Sequence, residues 1–175
     1  LEKQDLSGKI VYKGQDLLSI SQEKLQEIRG KEIGLIVQNP FSQLNPTRKV
    51  GSQMIEALLP IHQQQNLPRS FTRMLAINQL QRLGIQNPNS CYEMYPQELS
   101  GGMCQRVVIG MFALLKPKIL LSDEPTTALD PETIHLVLDE LRNLQAAHIF
   151  VTHDQFVAQS FCDTIFDMQD VQLCS

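Results

Sequence analysis

Two acids end an apolar run in Ile119-Leu120-Leu121-Ser122-Asp123-Glu124. A buried strand that finishes in carboxylates presents them to the crevice outside the strand ends, where ligands of α/β sheets bind. Asp123 is there a hard oxygen ligand of the kind magnesium takes. Glu124 is a group able to accept a proton from an attacking water. The same two residues would also cap the following turn, and the dipeptide alone does not decide. A second apolar run, His148 to Thr152, leads into His153; a histidine after a strand, taken singly, is more often structural. In Leu99-Ser100-Gly101-Gly102, Ser100 suits the start of a helix whose first amides stay free. The two glycines would let a phosphate approach that backbone, and a helix N-terminus favours an anion. As a tripeptide alone, Ser-Gly-Gly reads as a plain turn before a helix.

The elements that must position these residues are readable from periodicity. Strands are expected at Gly8 to Gly14, Glu32 to Gln38, Lys118 to Ser122, His148 to Thr152 and Thr164 to Met168. A short helix is expected at Ser21 to Arg29, begun by Ser21. From Val50 to about Gly84 the pattern is helical. Met54, Leu58 and Ile61 share one face of a first helix; Met74, Ile77, Leu80 and Leu83 mark a second, and Pro60 and Pro68 punctuate the stretch. Further helices are expected from Ser100 to about Leu115, from Pro131 to Leu144 with Asp130 as N-cap, and from Asp154 to about Phe161. Strands alternating with helices imply an α/β fold on a largely parallel sheet. The all-helical stretch should form its own lobe, giving a core of 1–38 and 116–175 and a helical subdomain of about 39–115.

Composition sets the outer bounds. The 175 residues suffice for one domain with a real core. Hydrophobic residues make up 42% and charged residues 19%, a globular balance. The formal charge of -4 and a pI near 5.5 argue against a nucleic-acid partner, which usually calls for a basic face. No apolar run reaches the roughly 18 residues of a membrane-spanning helix, and the polar start Leu1-Glu2-Lys3-Gln4-Asp5 shows no signal-peptide pattern. Cys91, Cys104, Cys162 and Cys174 form no C-x-x-C pair, so they read as free thiols in a reducing cytosol rather than zinc ligands. His62, His135 and His148 have no metal-like spacing and read as structural. Gln63 to Gln65 reads as a solvated loop.

Taken together and in order, the motifs carry a resemblance. The run from Leu99 through Asp130, LSGGMCQRVVIGMFALLKPKILLSDEPTTALD, closely resembles the ATP-binding subunits of ABC transporters. Leu99 to Gln105 is similar to the family's signature motif, with Met103 where many members carry Gln and Cys104 where relatives often carry Arg. Leu120 to Glu124 is similar to Walker B, Ala128-Leu129-Asp130 to the D-loop, His153 to the switch histidine, and Gln38 to the Q-loop glutamine. Gln38 to Pro46 (QNPFSQLNP), with LSGGM and DEPTTALD, resembles the peptide and nickel importer branch.

The resemblance implies a P-loop NTPase-like fold with an inserted helical subdomain, and ATP and Mg2+ as cofactors. Asp123, with Gln38, would hold the magnesium. Glu124 would orient the attacking water, His153 would meet the terminal phosphate, and Gln38 would reach the magnesium or the water. Ser100, Gly101, Gly102 and Gln105 would press on ATP held by an opposite subunit, with Asp130 near the seam. The implied partners are a second ABC ATPase subunit, identical or similar, transmembrane permease subunits and, indirectly, a substrate-binding protein. The implied place is the cytoplasmic face of the membrane, held peripherally.

The sequence departs from the pattern in one respect. A phosphate-cradling loop reads G-x-x-x-x-G-K-[ST], and none is present: Gly8-Lys9 is followed by Ile10, and Gly30-Lys31 by Glu32. The chain is therefore expected to begin downstream of that loop and its strand, and to bind and hydrolyse ATP weakly by itself. Two functions stay in view: an importer ATPase subunit, or a non-hydrolysing module that docks on a transporter or completes a partner's ATP site. A soluble ABC ATPase acting on DNA or ribosomes fits less well, since no sustained heptads separate Gln38 from the signature.

Overall fold

The computed structural model describes residues 8–65 and 68–168, with the backbone alone for 60–65. It opens with a hairpin, β1 (Val11–Tyr12) and β2 (Gln15–Asp16), paired antiparallel. The turn places Lys13 at φ 48° and Gly14 at φ 76°, the two left-handed residues that a tight hairpin requires. The stretch expected as one strand therefore bends back on itself. Tyr12 and Lys13 both bond the Glu32 carboxylate, at 2.7 and 2.6 Å, and fasten the hairpin to the start of the next strand. The Lys13 bond, then the Tyr12 bond, hold the Glu32 carboxyl down at about 2. Ser21 caps α1 (Gln22–Ile28) by accepting from the Lys24 amide, as its sequence position suggested.

Three parallel strands form the sheet, in the order β3 (Ile33–Ile36), β4 (Ile119–Asp123), β5 (Ala147–Val151). Ile36 lies opposite Ser122, and Asp123 opposite Val151. Because side chains alternate, one face carries Gly34, Ile36, Leu120 and Ser122, all buried. Gly34 has a steric reason: a Cβ there would lie 2.8 Å from the Phe112 ring. The other face carries Leu35, Ile149 and Val151, each about half exposed. Parallel sheets are normally covered on both faces; the described residues cover one.

Every element between β3 and β4 is helical: α2 (Val50–Gln65), α3 (Arg69–Arg82), α4 (Pro88–Glu93) and α5 (Gly101–Leu115), with 3-10 turns at Pro40–Gln43 and Pro96–Glu98. Pro60 does not break α2. It removes one helical hydrogen bond, but the helix continues to Gln65, anchored upstream by buried Val50, Met54 and Leu58. Gln63 to Gln65 are thus helical rather than loop. The side chains of Ile61 and His62 lie outside the described residues, as does Cys174. In α3 the buried positions are Thr72, Ala76, Gln79 and Leu80, while Met74 is exposed. Of the expected face, Leu80 and Leu83 are buried and Ile77 packs against the core, so the apolar spacing located the helix and its inner face except at Met74. The short α4, with Pro88 in its first turn, was not expected.

After β4 come α6 (Pro131–Arg142), capped by Asp130, and α7 (Gln155–Phe161), capped by Asp154. The strand expected at Thr164 to Met168 is not formed. A strand needs a neighbour for its amides and carbonyls, and no described residue pairs with it; Ile165, Phe166 and Met168 are exposed. The core runs continuously from the sheet into the helices, through Ile36, Met54, Leu80, Leu83, Ile109, Leu120 and Leu141. Polar bonds join the same parts: buried Gln79 donates to Glu140 at 2.9 Å, Arg82 pairs with Glu140, and Arg106 donates to the carbonyls of Leu83, Gly84 and Gly102.

Candidate functional site

The carboxyl ends of β3, β4 and β5 lie side by side and carry Gln38, Asp123, Glu124 and His153. Asp123 closes β4 and is exposed. Glu124 follows in a left-handed conformation, φ 49°, and its amide donates to the Val151 carbonyl at 2.9 Å. Left-handed backbone is costly for a residue with a Cβ and turns the side chain sharply from the strand direction. The turned carboxylate meets the loop after β5. Glu124 Oε1 accepts from the His153 amide at 2.8 Å and lies 2.7 Å from His153 Nδ1, while Oε2 accepts from Thr127 Oγ1 at 3.0 Å.

Charge follows geometry. Burial pushes the Glu124 carboxyl up, but the His153 ring, the Thr127 hydroxyl and the His153 amide together outweigh it, and the group sits below its ordinary value. The hydrogen bond to Glu124, reinforced by its charge, raises His153 above the usual imidazole value. The His153 side chain is 79% exposed, so its Nε2 edge remains open to a ligand, whereas Glu124 is 14% exposed. Thr127 was not singled out from the sequence; the only signal was its place three residues after Glu124 in DEPTT. Gln43 was missed as well: it accepts from the Val37 amide and donates to the Leu35 carbonyl, holding the turn in which exposed Gln38 sits.

The helix tip is a separate place. Ser100 caps α5, its Oγ accepting from the Met103 amide at 3.2 Å, and the residue is exposed. Gly102 packs on the loop after β4: a Cβ there would lie 2.8 Å from the Ala128 carbonyl oxygen. Its small size therefore already has a structural cause. Ser100, Met103 and Arg106 line a groove of about 490 Å³ together with Asp130. Asp130 caps α6 through Thr133, whose hydroxyl and then amide hold its carboxyl below the ordinary value.

Gln105 does not join this group. It is 1% exposed on the inner side of α5, and neither Nε2 nor Oε1 finds a partner among the described residues. The expected contact with a nucleotide is ruled out by that burial. Cys104 is fully buried, and burial pushes its thiol up to about 12, so it lies in the core rather than at a partner contact. Cys91, Cys104 and Cys162 are free thiols. His148 packs edge-on against Phe161, its pKa lowered by burial, in keeping with a structural role.

The chain as a whole is similar to known proteins. The family model described as "ABC transporter" matches residues 2–127. This chain belongs to the ABC transporter family. Among its relatives, the oligopeptide transport ATP-binding protein OppD of Bacillus subtilis (strain 168) is 38% identical over 170 residues, covering 95% of this chain and 47% of OppD. The dipeptide transport ATP-binding protein DppD of Escherichia coli (strain K12) is 40% identical over 153 residues, covering 85% and 46%. The ABC transporter chain thus spans about half the length of these curated relatives. Its fold matches the dimeric post-hydrolysis structure of the ATP-binding cassette MJ0796 bound to ADP and Pi, with a TM-score of 0.72 at 26% identity, covering 87% of this chain and 65% of that one. The α/β architecture expected from the sequence is therefore that of an ABC ATPase cassette.

Proposed function

We propose that this chain supplies the catalytic strand ends and signature helix tip of an ATP-binding subunit of an ABC importer for peptides or nickel. Hydrolysis there would drive transport through partner permease subunits. The observation that carries this reading is the contact between Glu124 and His153 at neighbouring parallel strand ends, with Asp123 beside it and the Ser100 tip exposed. Support comes from OppD and DppD, relatives with peptide transport in their names.

The residues fit ATP and Mg2+ in the limited way that a shared site demands. Among the described residues no cluster of three or more His, Cys, Asp or Glu could hold a metal. Magnesium keeps waters and phosphate oxygens and needs only one or two protein oxygens, which Asp123 and the Gln38 amide would supply. Bound magnesium would neutralise phosphate charge as the terminal phosphoryl group departs. Glu124 accepts a hydrogen bond from a water and places it in line. His153, held through Nδ1, offers Nε2 to the terminal phosphate and couples its loss to the Glu124 loop. Ser100 and the first amides of α5 address the phosphates of ATP bound by a partner subunit, whether identical or similar, with Asp130 at the seam.

The helical segment between β3 and β4 is then the part that meets permease subunits, and a substrate-binding protein acts only indirectly. No described helix is long and apolar enough to cross a membrane. Peripheral attachment at the cytoplasmic face follows from the permease contact.

The test is ATP turnover by a transporter assembled from this chain and an intact partner. Glu124→Gln should slow turnover by about 10²- to 10⁴-fold, the range for loss of a general base. Unchanged turnover would sink the assignment. A second reading is favoured by one observation: Ser100 and Asp130 are both exposed and line the same groove. In that reading the chain completes its partner's ATP site without hydrolysing ATP itself, and Ser100→Ala lowers the partner's turnover while Glu124→Gln does not.

A further inference from the structure

The backbone around Gln38 is held on both sides, while its side chain is free. On the near side, β3 is an edge strand of the sheet, so the amides and carbonyls on its outer side need partners. Gln43, the last residue of the 3-10 turn Pro40–Gln43, folds back to supply them. Its Nε2 donates to the Leu35 carbonyl at 2.6 Å, and its Oε1 accepts from the Val37 amide at 3.0 Å. Those are the two groups that one residue of a parallel neighbour strand would bond. The side-chain amide thus stands in for one residue of an outer strand, and carries the ladder as far as the residue before Gln38.

On the far side, Asn39 Oδ1 accepts from the Phe41 amide at 3.2 Å, and the Asn39 carbonyl accepts from the Ser42 hydroxyl at 2.7 Å and the Ser42 amide at 3.2 Å. A second glutamine ties the other end of the loop. Gln53 on α2, 7% exposed, accepts from the Asn45 amide at 2.8 Å and donates to the carbonyls of Asn45 and Arg48, at 3.0 and 2.9 Å. Buried Pro40 and Leu44 anchor the turn between the two glutamines. Gln38 itself is exposed, and its side chain makes no hydrogen bond among the described residues.

We propose that Gln43 is a positioning residue for the reaction: through the Leu35 and Val37 backbone it fixes where Gln38 leaves β3, and so where the Gln38 amide meets magnesium or the attacking water. The inference rests on the roles proposed above for Gln38 and Glu124, and adds the residue that sets Gln38 in place. Place and burial single out Gln43 over Gln53. The bonds of Gln43 end on the neighbour of Gln38, whereas those of Gln53 begin at Asn45. Gln53 is buried, so its loss would leave backbone groups unpartnered away from water and weaken the whole fold. Gln43 is half-buried; water reaches the groups it would release, so its loss loosens the turn and leaves the fold standing. A misplacement of about 1 Å in a group that orients a reactant is enough to slow a reaction by up to about a hundredfold.

The first measurement uses the full chain without nucleotide. Gln43→Met keeps the length of the side chain and removes both bonds. Amide exchange at Val37 should become about tenfold faster in it, with the urea midpoint little changed. Unaltered protection at Val37 overturns the inference. The second measurement is turnover by a transporter assembled from this chain and an intact partner. Gln43→Met should lower kcat about tenfold and leave the KM for ATP within about twofold of wild type. Gln43→Glu, which keeps the acceptor for Val37 but sets an oxygen against the Leu35 carbonyl, should lower kcat as well. In Gln38→Ala the positioned group is gone, so adding Gln43→Met should reduce kcat no further. Unchanged kcat, a loss that merely follows the urea midpoint, or losses that add in the double variant each overturn the inference, since a glutamine that only ties a turn predicts one of these. Glu124→Gln separates the two readings. Turnover that survives Glu124→Gln counts against the site assignment itself; turnover lost in Glu124→Gln beside additive losses at Gln38 and Gln43 counts against the positioning role alone.

Discussion

His153 Nδ1 lies 2.7 Å from Glu124 Oε1, and the His153 amide donates to the same oxygen at 2.8 Å. One carboxylate oxygen thus gathers the ring and backbone of a residue on the adjacent strand end. Two properties follow. The Glu124 side chain is aimed before any ligand arrives, and the protonation of each residue depends on the other.

That dependence has a definite sign. His153 is raised above its ordinary 6.5, so its share of the pair's stabilisation is full below that pH and is lost as pH rises through the raised value. Glu124 is lowered below its ordinary 4.5, so its share is full above that pH and is lost as pH falls through the lowered value. The pair should contribute most between about 4.5 and 6.5. Urea unfolding of wild type and His153→Gln across pH 3 to 9 should show their largest separation in that window. An NMR titration of His153 should return to the ordinary imidazole value in Glu124→Gln. A separation that grows steadily toward pH 9 would exclude an imidazolium–carboxylate contact.

The two glycines of the signature run should behave differently. A Cβ on Gly102 meets the Ala128 carbonyl at 2.8 Å, a backbone atom that cannot swing away, whereas on Gly101 the nearest atom is an ordinary 3.9 Å off. Overpacking of that kind costs about 1–3 kcal/mol, against a helical gain from Gly to Ala of about 1 kcal/mol. Gly102→Ala should therefore lower the urea midpoint, and Gly101→Ala should leave it unchanged or raise it. Equal effects would mean that the glycines are there for a ligand alone.

Much of this was readable in advance, for identifiable reasons. Asp123, Glu124 and His153 were legible because parallel strands end where ligands bind, and the apolar runs before them fix where those ends are. Ser21, Ser100 and Asp130 were legible as caps because capping is local. The polar part of the inner face of α3 was not, because Thr72 and Gln79 are buried by neighbours far along the chain rather than by their own polarity, whereas Leu80 and Leu83 were placed correctly. The Thr164 to Met168 strand was inferred from β-type residues, but pairing is a property of two segments, and β-propensity speaks for one. Gln105 was taken for a ligand contact from its motif position; which side of α5 turns inward is decided by the sheet beneath it.

Gln105 supplies a stability prediction of its own. Both of its amide atoms are buried and unpartnered among the described residues, a situation that costs about 1–3 kcal/mol per group. Met has nearly the same length and no such groups. Gln105→Met should raise the free energy of unfolding by about 1 kcal/mol, read as a higher denaturation midpoint with unchanged slope. A loss of stability would show that the amide makes bonds that the static arrangement does not contain.

Asp130 separates a local role from a shared one. It caps α6 by accepting from the Thr133 amide and hydroxyl, each at 3.0 Å, and it also lines the groove beside Ser100. Asn is as good a cap as Asp, while Ala is not, so Asp130→Ala should cost about 1 kcal/mol of stability and Asp130→Asn much less. If capping were the whole function, turnover in an assembled transporter would follow stability, and Asp130→Asn would be silent. A charge at the seam predicts otherwise: Asp130→Asn folds as well as wild type, yet lowers turnover in the assembly. Measuring unfolding and turnover on the same two variants decides between them, because only the seam role moves activity without moving the midpoint.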